Sequence, residues 1–434
     1  MKRRNFIKSN ALAAMSITGP TMFPDFLYGK SPKNDERSYA DYLRKSAVPK
    51  EELDVFLNKN SWAQFDPEVG YIMGNYMPHD GMDNSYTIST VQKDGRRTNH
   101  VYASKTCRIN TYGNSFTQCH QVSDAETWQE YLAGHLGEPV QNFGMGGFGV
   151  YQAYRRLVRR ESSDKDSKYV ILYMWGDDYV RSVFRCRYVT YYTTWNDYGG
   201  YMFHGNFWSN IEMDLDTGKL VEKDNRISNK EDVYKMTDPE FMYENLKNDL
   251  MIQLHLLSYN MVNADVDTKG LNRLAEILGL PEIDFSDIEK MQRSAIALKN
   301  EYSFEATKYI LSKAKEFCTR NDKNLLIIHF DPYGVFRPMV RGEARYDQEV
   351  INFIRDNGFR YFDMNETHLE DYKKFNLNLD GYMQRYFIGH YNPSGNHFFA
   401  YALKDIIVDW LDPKPITYQQ GDDKLIRFKG YLQE

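Results

Sequence analysis

"KYVILYMWG" (168–176) sets Tyr169, Val170, Ile171, Leu172, Tyr173 and Met174 in unbroken succession before a glycine. Successive side chains of a strand point to opposite faces, so this run has no face suited to water. It reads as a strand in the middle of a parallel sheet covered by helices on both sides. The flanking segments agree. Upstream, "CRINTYG" (107–113) is strand-like and ends at a turn, and "AETWQEYLAGHLG" (125–137) has helical spacing at Trp128, Leu132 and Leu136 before Gly137. "PVQNFG" (139–144) reads as a second short strand and "VYQAYRRLVRR" (150–160) as a helix. Downstream come a helix over "EATKYILSKAKEFC" (305–318), a strand over "NLLIIHFD" (324–331) and a helical stretch near 344–356. The strand "FRYFDMN" (359–365) and a terminal helix from about 394 to 411 follow. Five strands alternating with helices predict an α/β fold, with a parallel sheet between two helical layers and right-handed crossovers.

This rhythm divides the chain. Residues 31–100 form a charged lead-in, 101–180 and 301–411 the core, and 412–434 a C-terminal tail. The stretch 181–300 interrupts the alternation as an insertion, either a lid or a lobe. It holds the aromatic run "RYVTYYTTWNDYGGYMFHGNFW" (187–208) and helix-like segments such as "LNRLAEILG" (271–279). Residues 1–30 are set apart as a targeting segment. Arg3 and Arg4 precede Asn5-Phe6-Ile7-Lys8 and a modest apolar stretch, a pattern that resembles a twin-arginine export signal. That stretch is too short and too polar for a stable membrane anchor. It predicts an exported protein, periplasmic or extracellular.

With 434 residues and a net charge of −6, the chain offers no electrostatic case for a nucleic-acid partner. Tyrosine (34), phenylalanine (25) and tryptophan (6) supply an aromatic content suited to stacking on sugars, and equally to core and interface area. Cys107, Cys119, Cys186 and Cys318 lack C-x-x-C spacing, which argues against a zinc site and leaves disulfides open.

Ligands of such sheets sit beyond the carboxyl ends of the strands. After the first strand comes "YGNSFTQ", with Ser115 at a strand-to-helix turn. After the second comes "NFGMGGFGVYQ", after the third "WGDDYVRS", and before the terminal helix "GHYNPSGNH". A serine, glycine backbone, a polar side chain and a histidine thus meet at one rim. Acyl transfer needs such a set: a hydroxyl with a base in reach, and donors for an oxyanion.

These blocks resemble those of the SGNH (GDSL-like) hydrolase family. Gly113-Asn114-Ser115 matches its Gly-Asp-Ser with Asn for Asp. Asn142, Gly144, Gly147 and Gln152 match the second block, Gly176-Asp177-Asp178 loosely matches Gly-x-Asn-Asp, and His390, Asn392 and Gly395 match the last. The resemblance implies a flavodoxin-like three-layer α/β/α sandwich and an ester hydrolase with Ser115 as nucleophile and His390 as base. The oxyanion donors would be the Ser115 and Gly147 N–H groups, with Asp177 standing where the family has a donating Asn. Phe387 and Ile388 occupy the places where the family carries its acid, so Asp380, Asp363, Asp331 or Asp177 is the candidate to orient His390, or a backbone carbonyl does so. The implied substrate is an ester, such as an O-acetyl or other acyl group on a carbohydrate, with no metal and no organic cofactor. Two other readings stand beside it: a degenerate member that binds glycans, and a metal-assisted hydrolase using Asp177, Asp178 and His390. Gly144, Gly146 and Gly149 also spell the dinucleotide fingerprint G-x-G-x-x-G, but no acidic residue ends a further strand about twenty residues on. His397 reads as structural, in the second turn of a helix capped by Asn392 and begun by Pro393.

Overall fold

The structure is a computed structural model that describes residues 38–192, 200–263 and 265–419. The export signal expected at 1–30, part of the aromatic run and the end of the tail lie outside the described residues. An antiparallel hairpin, β1 (Ala63–Asp66) and β2 (Gly70–Met73), precedes the main sheet. That sheet consists of β3 (Ile109–Tyr112), β4 (Val140–Asn142), β5 (Tyr169–Met174) and two later strands. A second hairpin, β6 (Asn210–Asp214) and β7 (Lys219–Lys223), intervenes before β8 (Asn324–His329) and β9 (Arg360–Asp363) complete it. The five strands are all parallel in the order β4-β3-β5-β8-β9.

The run that opened the sequence reading is β5, between β3 and β8, with every residue buried. Its alternation divides the interior in two. Val170, Leu172 and Met174 join one hydrophobic core, and Tyr169, Ile171 and Tyr173 the other. The first core is covered by helices Val150–Glu161, Ile288–Arg320 and Gln348–Asp356, the second by Trp128–Leu136 and Pro393–Trp410. This is an α/β structure compatible with a three-layer α/β/α arrangement. Burying Val170, Ile171 and Leu172 contributes about 1.5–3 kcal/mol each, and the strand carries no charged side chain.

Two boundaries differ from those expected. The helix read at 305–318 starts at Ile288, capped by the Asp287 side chain on Lys290 N–H, and runs unbroken to Arg320. The division at 300 therefore falls inside one helix, since no proline or glycine interrupts 288–320. The described part of 181–300 is also no separate lobe. Its helix Leu250–Ser258 is buried throughout and shares the first core with β5, as do Tyr39, Leu43 and Trp62 of the lead-in.

The strand order reverses direction at β3, which pairs with β4 on one side and β5 on the other. At such a switch point the loops leaving neighbouring strands diverge and open a crevice at their carboxyl ends. Ser115, Gly147 and Asp177 follow β3, β4 and β5, so all three arrive there.

Candidate functional site

The turn after β3 gives the N-cap position to Asn114 and not to Ser115. Asn114 caps the short helix Ser115–Gln118, its Oδ1 accepting from Phe116 N–H at 2.8 Å. With the cap taken by Asn114, the Ser115 hydroxyl is available and meets His390 Nε2 at 2.7 Å. The loop after β4 closes tightly on this turn. A Cβ on Gly144 would lie 2.2 Å from Gln118 N, so only glycine permits the approach.

His390 comes from the loop between helices Leu379–Tyr386 and Pro393–Trp410. As expected, Asn392 caps the second of these, accepting from Gly395 N–H at 2.9 Å, and Pro393 opens it. The loop is held by Ile388 N–H donating to the His390 carbonyl at 2.9 Å. His397 sits on the exposed side of that helix with its ring 5.2 Å from Tyr131, outside the site.

The partner that orients His390 is an amide. Gln121 Oε1 accepts from the His390 backbone N–H at 2.8 Å and lies 3.1 Å from the ring Nδ1. Because a backbone N–H can only donate, that Gln121 atom is the acceptor, so Nδ1 carries the ring proton. Nε2 then presents its lone pair to the Ser115 hydroxyl. Gln121 reaches this place through two left-handed residues, Cys119 (φ 61°) and Gln121 itself (φ 73°), and its Nε2 donates to Asp80 O at 3.3 Å. Behind it, His120 Nε2 lies 3.1 Å from Asp80 Oδ2, with its ring 5.1 Å from that of His390. Burial pushes the His390 pKa well below the ordinary histidine value, helped by His120 and Arg181 and opposed by Asp80. Burial thus favours the neutral imidazole, the form that can accept a proton.

The carboxylates considered for this role are engaged elsewhere. Asp380 pairs with Arg337 at 3.1 Å, and Asp363 with Arg345 and the Tyr361 hydroxyl. Asp331 accepts from Trp175 Nε1 and from the N–H groups of Tyr333 and Gly334. Asp177 is bound to Arg181 at 2.8 Å. None of the four bonds His390, and Gln121 replaces them. Asp177 is corrected on a second count, because a carboxylate has no hydrogen to offer an oxyanion and this one already holds a cation.

Asp178 ties the third block to the first. Its Oδ2 accepts from Asn114 Nδ2 at 2.6 Å and from Trp175 N–H at 2.9 Å, and its Oδ1 faces Arg181 at 3.3 Å. Burial, chiefly, raises its pKa to about 7. With Asp177 and Asp178 turned to Arg181, they do not converge with His390 on a metal position. Among the described residues the group of metal-binding donors that forms is Glu301, Glu305 and Glu349, none of which lines the cavity. Lys308 already pairs with Glu305 and Glu349 there. The four cysteines are free and buried, and burial pushes each thiol up to about 12, so they are inert.

Ser115, His390, Gly147 and Asp177 line one cavity of about 200 Å³. This far exceeds the space one water needs and suits a small organic group. Its outer wall is built by the stretch read as an insertion, with Tyr191 and Tyr259 beside Trp62 from the lead-in and Trp175 from the end of β5. Compared with protein-family models and with curated proteins, the sequence matches none.

Proposed function

We propose that the protein is an exported serine esterase of the SGNH type, with the flavodoxin-like sandwich of that family. The observation that carries this reading is the hydrogen bond between Ser115 and His390 Nε2, with Gln121 fixing the tautomer. His390 takes the Ser115 proton as the oxygen attacks the ester carbonyl carbon. The oxyanion forms beside the Ser115 and Gly147 N–H groups. The C–O bond to the alcohol then breaks, and His390 returns the proton to the leaving oxygen. Water, deprotonated by the same nitrogen, attacks the acyl-Ser115 and releases the acid. No step calls for a metal or an organic cofactor. The aromatic rings around the cavity support an acyl group on a carbohydrate as substrate, and the paired arginines near the N-terminus support export.

A fluorophosphonate probe tests the chemistry. It should modify Ser115, identified by mass spectrometry of the peptide carrying it. An unlabelled Ser115 in folded protein would favour the second reading, a glycan-binding protein that has lost turnover. The observation behind that reading is Asp177, which offers no donor where the family has one.

The pH profile follows from the direction of the His390 shift. Activity needs the neutral ring, and burial lowers the pH at which it takes up a proton. The acid limb of kcat/KM for p-nitrophenyl acetate should therefore lie below the ordinary histidine value of about 6.5. A limb at or above that value would mean that His390 is not the base.

A further inference from the structure

The cavity wall holds a cation without a counter-ion among the described residues. Arg187 stands where the insertion begins and lines the cavity, yet it makes no ion pair among the described residues, and its Nη1 is buried without a hydrogen-bond partner. The Tyr71 hydroxyl lies against the guanidinium, and the Tyr191 ring faces it with the Cζ atom 5.3 Å from the ring centre. Neither neutralises it. The approach is made possible by Gly147, whose φ of +80° already favours glycine and whose Cβ, if present, would lie 1.9 Å from Nη1.

A second cation has the same character. Lys299 is 4% exposed, donates to Ser258 Oγ at 3.0 Å and also lines the cavity, without an ion pair among the described residues. Burial lowers its pKa to about 8, with Asp177 acting against that. Among the described residues Asp177 is the one carboxylate in the lining, and it is already committed to Arg181. The described residues of the walls thus carry Arg181, Arg187 and Lys299 against a single acid. Buried cations are stable when paired, and an unpaired guanidinium costs free energy that an anionic ligand returns. The influence of Arg187 falls on His204, Tyr71 and Tyr191, while the cation acting on His390 is Arg181. Arg187 is therefore placed to hold part of a ligand that extends past the reacting centre.

We infer that Arg187, assisted by Lys299, forms an anion subsite, and that the ester taken by the Ser115 site belongs to an acidic sugar carrying a carboxylate or a sulfate. The guanidinium fork meets either group with paired N–H donors, and the surrounding rings cover the sugar faces. The inference rests on the esterase reading for the word ester, but the anion subsite stands apart from it.

The test separates the two. Calorimetry on the full-length Ser115→Ala protein compares glucuronate, glucose 6-sulfate and glucose, none of which requires turnover. At least one of the acidic sugars should bind about tenfold or more tighter than glucose, and which one does so distinguishes carboxylate from sulfate. Arg187→Gln should remove that difference. Equal binding of all three, or a preference that survives Arg187→Gln, overturns the proposal. Should Arg187→Gln not fold, wild-type protein serves: the preferred acidic sugar should slow fluorophosphonate labelling of Ser115 at concentrations where glucose does not. Equal protection by both overturns the subsite. Absence of any labelling overturns the esterase reading while the calorimetry still decides the anion site.

Discussion

Ser115→Ala is expected to lower kcat on p-nitrophenyl acetate by about 10⁴- to 10⁶-fold, and His390→Ala by a similar factor, with the double variant no slower than the worse single one. The non-additivity is the informative part. Serine is a poor nucleophile until a base removes its proton, and His390 Nε2 lies 2.7 Å from the Ser115 hydroxyl, within reach of that proton. Once either member is gone, the other has nothing left to do. Rates measured for the two single variants and the double variant decide the matter. Losses that multiply in the double variant would show two groups acting separately and would remove the acyl-enzyme route.

The next largest effect is expected at Gln121. Gln121→Ala leaves the His390 backbone N–H and ring Nδ1 without their shared acceptor. The imidazole can then turn, or carry its proton on the nitrogen that must accept from Ser115. Loss of an orienting carboxylate from a triad costs about 10⁴ in kcat, largely through the wrong tautomer. An uncharged amide does the orienting but not the charge stabilisation, so the loss here should be smaller, about 10²- to 10³-fold in kcat with KM little changed. Gln121→Glu supplies the charge. It should retain activity and move the acid limb of kcat/KM to higher pH, because a carboxylate at Nδ1 favours the protonated ring. Steady-state rates and pH profiles of the two variants check this, and a fully active Gln121→Ala protein would show that the amide orients nothing.

Local pattern carried much of the fold. The apolar run of β5, the Gly137 stop after Trp128–Leu136 and the Asn392-Pro393 start are decided by residues within a turn or two of each other. Ser115 and His390 stood out for a different reason, since Ser115 follows the turn at the end of β3 and His390 stands two residues before the Asn392 cap. Gln121 did not. It lies 269 residues from His390, and a glutamine carries no sign that it will replace a carboxylate. Its position depends on two non-glycine residues adopting left-handed backbone, which composition does not announce. Arg187 was hidden by the opposite problem: it stands in an aromatic stretch whose partners come from β2 and the loop after β4, and charge alone does not tell a buried arginine from a surface one.

The helix Ile288–Arg320 has a mechanical meaning. Thirty-three residues at 1.5 Å each make a rod about 50 Å long. Between its first third and its middle it presents Lys299, Ser303 and Phe304 to the cavity, and near its end Ala314 and Phe317 join the same core as Val170 and Leu172 of β5. The wall of the cavity and the backing of the sheet are therefore one girder. No proline or glycine within it offers a place to bend, so this wall cannot swing aside without unseating the sheet's own covering. On this side the cavity wall and the covering of the sheet are one piece, so a shift of either carries the other with it.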